Sequence, residues 1–85
     1  MANGPEHAPN LDVNEVDDGL VVYDLTNDRV HYLNVTATLV FELCTGAHTD
    51  DEIVGLVSEV WQLPDPPDAE VRACLAQLRD EGVIR

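Results

Sequence analysis

An α+β fold is what the sequence predicts: a three-stranded antiparallel sheet followed by a three-helix bundle, in the manner of a winged helix-turn-helix. Three observations carry that expectation. Two turn signals, Asp18-Gly19 and Thr26-Asn27-Asp28, cut residues 11–33 into three stretches rich in β-branched and aromatic residues. Asn34 then heads one helical pattern, and the tetrad Thr49-x-x-Glu52 heads another. Gly46 and Gly82 follow helical runs at the place where a left-handed residue ends a helix.

The first strand, "LDVNEVDDG", puts Leu11, Val13 and Val16 among acids and reads as an irregular edge. "LVVYDL" is the second strand and "RVHYL", residues 29–33, the third. The third runs into Asn34 without a loop, and "VTATLVFELCT" continues as a helix with Leu39, Val40, Leu43 and Cys44 on one side. In the second helix Ile53, Leu56, Val57, Val60 and Trp61 recur at helical spacing, so Trp61 reads as core. "LPDPPD" breaks the chain, and Asp65 or Asp68 can cap the third helix. That helix carries Val71, Cys74, Leu75 and Leu78 on one face and stops at Gly82; "VIR" forms a short strand or packs as a tail. Residues 1–10, with two Pro, one Gly and two Asn, are expected to be a disordered tail, and residues 11–85 the single folded domain.

Charge narrows the function. Seventeen Asp and Glu face four Arg, a formal charge of -13 over 85 residues. Such a field repels nucleic acid and anionic membranes and draws in basic partners. The third helix has Arg72 and Arg79 against Asp68, Glu70, Asp80 and Glu81, the reverse of what a DNA recognition helix needs. The segment "MANGPEHAPN" lacks the basic and apolar regions of a secretory signal, so the expected compartment is the cytoplasm. Cys44 and Cys74 are then expected as reduced thiols that fill core gaps.

Chemistry-bearing clusters are sparse. His7, His31 and His48 fall on a tail, a strand and a loop, and no metal or phosphate motif occurs. Ser58, the sole serine, lies within the second helix. The expectation is a protein that is not an enzyme and holds no cofactor or metal. The strand at 29–33 is the remaining feature, because the last strand of a meander has an open edge that an extended peptide can pair with. The competing reading is a winged-helix regulator, or a structural subunit that contacts another protein through its acidic surface.

From the acidic-Gly turn to "LRDEGVI", residues 12–84, the order of motifs resembles the pyrroloquinoline-quinone biosynthesis protein D (PqqD-like) family. Leu33-Asn34, Gly46 and Asp51 to Ile53 are the firmest points of likeness. The resemblance implies a RiPP recognition element, a small peptide chaperone for the leader of a ribosomally made precursor. It implies that the leader adds as an antiparallel strand to the third strand and lies against the third helix. Carried over, the edge is Val30, His31, Tyr32 and Leu33, and the helical wall is drawn from Val71, Arg72, Leu75, Leu78 and Arg79. The implied second partner is a peptide-modifying enzyme, either a radical S-adenosylmethionine enzyme or a protease or cyclase.

Overall fold

The computed structural model describes residues 4–85, with element order β1 (Leu11–Val16), β2 (Gly19–Asp24), β3 (Arg29–Leu33), α1 (Val35–Leu43), α2 (Asp50–Trp61) and α3 (Asp68–Asp80). The sheet is an antiparallel meander in the order β1-β2-β3, registered by Val13↔Val22 and Leu20↔Leu33. Alternation along β2 buries Leu20, Val22 and Asp24 toward the helices. Asp24 shapes the second turn: its carboxylate accepts from the Thr26 and Asn27 amides and from Asn27 Nδ2 at 3.1, 3.2 and 2.8 Å. Those bonds, led by the Asn27 side chain, hold its carboxyl below the usual range. Gly19 has a separate reason. A Cβ there would lie 1.8 Å from the Leu33 carbonyl oxygen, so only glycine lets β2 begin against the β3–α1 junction.

The helix starts follow the sequence closely, with one exception. Asn34 Oδ1 accepts from the Ala37 amide at 2.9 Å, and the Thr49–Glu52 capping box closes in both directions. Neither Asp65 nor Asp68 caps α3. Its N-cap is Pro67, and Asp68 instead accepts from Arg72 Nε at 2.8 Å one turn on. At the far end Gly82 has φ of 79°, with Gly82 N donating to Arg79 O and Val83 N to Leu78 O, a Schellman closure. Gly46 is left-handed too, at φ 87°, but α1 ends earlier, at Leu43 with Cys44 as its cap.

The core joins Leu20, Val22 and Leu33 of the sheet to Val40, Phe41, Ile53, Val57, Val71 and Leu75 of the helices. Two expectations change here. The composition of residues 1–10 predicts a disordered tail, yet Glu6 exchanges two backbone bonds with Arg85, and Ala8 N donates to Val83 O at 3.0 Å. Pro5 O accepts from Gly46 N, and the His7 ring stacks on Phe41 with centroids 3.9 Å apart. The segment is held by the C-terminal "VIR" and the end of α1, partners that lie far off in sequence; residues 1–3 of that expectation lie outside the described residues. Trp61 is the second change. It is 37% exposed and Val60 57%, because the apolar stripe of α2 outruns the neighbours that cover it.

Candidate functional site: the open edge of β3

β3 pairs with β2 on one side, and among the described residues no strand pairs with its other side. Its residues alternate about the sheet. Val30 (61% exposed) and Tyr32 (55%) face outward, whereas Leu33 is in the core and His31 leans toward the helices. Tyr32 donates its hydroxyl to the Asp18 carbonyl at 3.3 Å, which ties the outer face to the first turn, and the Asp18 carboxylate beside it pushes the phenol upward.

α3 runs beside this edge without its backbone closing on it, and side chains bridge the gap. His31 Nδ1 lies 3.4 Å from Glu81 Oε2, joining β3 to the end of α3, and His31 Nε2 is buried without a hydrogen-bond partner. Above that bridge is a groove of about 120 Å³. Tyr32, Leu33, Asn34 and Ala37 form one side; Cys74, Gln77, Leu78 and Glu81 form the other. The helical side is a single row at i, i+3, i+4 and i+7, the set that one face of a helix presents.

The sequence-derived wall is only partly this one. All three apolar members, Val71, Leu75 and Leu78, are buried in the core, and of them only Leu78 reaches the floor of this groove. Arg72 and Arg79 point to the opposite side. Arg72 reaches Asp51 and Asp68, while Arg79 makes a paired contact with Asp50 at 2.9 and 3.2 Å. The Arg79 guanidinium holds the Asp50 carboxyl below its ordinary value. Cys74, Gln77 and Glu81 also line the groove; their common spacing is legible in the sequence, but not which neighbour they face.

Neither thiol is activated. Burial pushes Cys44 up to about 12 and also raises Cys74, and both are free. Among the described residues no group of three or more His, Cys, Asp or Glu is placed to hold a metal ion. No helix of the described chain is long and apolar enough to cross a membrane.

A meander whose last edge is open, with an amphipathic helix standing off beside it, is the geometry that strand addition requires. The chain belongs to the PqqD family: residues 19–84 match the family model described as "Coenzyme PQQ synthesis protein D (PqqD)". No curated protein matches it by sequence. Its fold is similar to that of a solved structure described as "TbiB1 in Complex with the TbiA(beta) Leader Peptide", at 17% identity and a TM-score of 0.79, over 94% of each chain.

Proposed function

We propose that this protein is a peptide-binding adaptor: it takes the leader of a ribosomally synthesised precursor as an added antiparallel strand on β3 and presents the precursor to a modifying enzyme. The observation that carries the reading is the unpaired edge of β3 with the Cys74–Gln77–Leu78–Glu81 face of α3 beside it. Membership of the PqqD family supports it, as does the likeness to a fold solved with a leader peptide. The role is that of a carrier, and the enzyme that acts on the precursor is a radical S-adenosylmethionine enzyme or a protease or cyclase.

Energetics set the form of the leader. Ladder hydrogen bonds contribute roughly 0.5–1.5 kcal/mol each, net of water. Ordering a flexible leader takes back about 2–5 kcal/mol. Micromolar binding needs about 8 kcal/mol, so the ladder alone falls short. Apolar side chains must supply the rest, at roughly 1.5–3 kcal/mol for each one fully buried. The leader therefore carries two or three apolar residues at alternate positions, and they pack on the half-buried Ala37 and Cys74, over the nearly covered Leu33 and Leu78. The winged-helix regulator loses ground, because the arginines of α3 are engaged with Asp50, Asp51 and Asp68.

The test is a titration of isotopically labelled protein with synthetic peptides covering the short reading frames that flank its gene. One peptide is expected to shift the amides of residues 30–33 together with those of Cys74, Gln77 and Glu81. Shifts confined to β1 or to the α2–α3 contact, or no binding peptide at all, would overturn the reading.

A further inference from the structure

The groove beside β3 does not end at Cys74. A second hollow of about 360 Å³ shares Asn34, Ala37, Cys74 and Gln77 with it and extends to Thr36 and Glu70. Thr36 and Glu70 in turn border a third, also about 360 Å³. That last pocket is walled by Trp61, Leu63, Pro64 and Pro67 and floored by the buried Val57 and Val71. From the C-cap to the N-cap of α3 the lining positions include Glu81, Gln77, Cys74, Glu70 and then Pro67, steps of three or four that keep to one face. The three hollows are one continuous track.

Its far end is a built pocket. Leu63 N donates to Ser58 O at 3.0 Å and Ser58 Oγ to Leu63 O at 3.4 Å, which fold the link back onto α2. Gln62 turns there with φ of 51°, and prolines at 64, 66 and 67 stiffen the rest of the link. Trp61 and Leu63 are 37% and 36% exposed at the head of this link. Every charged residue that lines the track, Glu81, Glu70 and Asp65, is acidic.

We propose that the leader segment N-terminal to the added strand follows this track and seats one large apolar side chain in the Trp61 pocket, with a basic residue beside it facing Glu70 and Asp65. The proposal rests on the leader-binding reading. A strand antiparallel to β3 has its upstream end at Leu33, and the track continues from Leu33 and Asn34 to Thr36 and Glu70. From Cys74 to Pro67 the helix rises roughly 10 Å, the reach of about three extended residues. The anchor therefore lies about three or four residues upstream of the paired segment.

The experiment is a selection of displayed random 16-residue peptides on immobilised protein, run in parallel on wild type, Trp61→Ala, Leu63→Glu, His31→Pro and Tyr32→Pro. Wild type is expected to enrich an alternating apolar pattern plus a large apolar residue about three or four positions upstream, next to Lys or Arg. Trp61→Ala and Leu63→Glu should keep the alternating pattern and lose the upstream preference; Leu63 is exposed on the link, so its change leaves the fold intact. A second measurement uses the native protein alone. Trp61 is the single tryptophan, so an enriched peptide should shift its emission, and the same peptide with Ser at the upstream position should bind roughly tenfold more weakly without the shift. An alternating pattern with no upstream preference, a preference on the downstream side, or unchanged Trp61 emission overturns the pocket and leaves the leader reading standing. A peptide set that neither proline variant disturbs overturns both.

Discussion

The sheet has two edges, and they differ in what stands beside them. β1 is exposed along nearly its whole length, bears Asp12 and Glu15, and among its residues Leu11 alone packs against the core. β3 places Leu33 in the core and is shadowed by α3 across a groove. Both edges offer unpaired backbone groups. At β1 a visiting strand would find ladder bonds, carboxylates and no second surface, the usual protection of an edge against unwanted pairing. At β3 the same bonds come with an apolar and polar wall. An open edge becomes a selective template only where another element supplies side-chain contacts, because ladder bonds carry little net energy and no sequence information.

The sharpest way to break this comparison is to remove donors from each edge in turn. In an antiparallel pair successive amides point alternately to the partner strand and to the free side. Of His31→Pro and Tyr32→Pro, the one that removes an outward amide should stay folded and lose peptide binding by roughly a hundredfold, whereas the other should lower the melting temperature. The matching pair on β1, Val13→Pro and Asn14→Pro, should leave peptide affinity untouched wherever circular dichroism shows a folded chain. Equal losses from both strands would mean that the edges are not distinguished.

Filling the groove is expected to do less. Gln77 is exposed on the groove face of α3 and Ala76 is exposed off it. Gln77→Trp should weaken binding about tenfold by occupying the space of an apolar leader side chain, while Ala76→Trp should not. A titration of the two variants that ranks them the other way would place the wall on a different face of α3.

The smallest effect concerns the arginines. Arg79 and Asp50 side chains are 41% and 34% exposed, so Arg79→Ala should remove about 0.5–1 kcal/mol of stability and leave peptide affinity unchanged. Asp50 has a depressed carboxyl in the fold. Its stabilising share is fully present above the ordinary carboxylate value of about 4 and drains away as pH falls through the lower folded value. The gap in melting temperature between wild type and Arg79→Ala should accordingly close below about pH 4, a trend that thermal melts across pH would check. Loss of peptide binding in folded Arg79→Ala would instead assign that arginine to the leader.

Sequence by itself determined the features that are settled within a few residues. Asn34, the Thr49–Glu52 box and the Gly82 closure each satisfy backbone groups with near neighbours, so their residue types announce them. The three strands, and the place of β1 and β3 at the two edges, follow from two turns and the order of a meander. Tertiary structure decided what depends on the rotation of one element against another. Helical spacing marks Val71, Leu75 and Leu78 as apolar, but α3 turns its arginines to the acids of α2, and that orientation hands the β3 side to Cys74, Gln77 and Glu81. The pairing of residues 5–8 with the C-terminal tail, and the exposure of Trp61 beside the proline link, were likewise set by partners distant in sequence. A periodic pattern states that a face is apolar or polar; which neighbour that face meets is settled only when all the elements pack together.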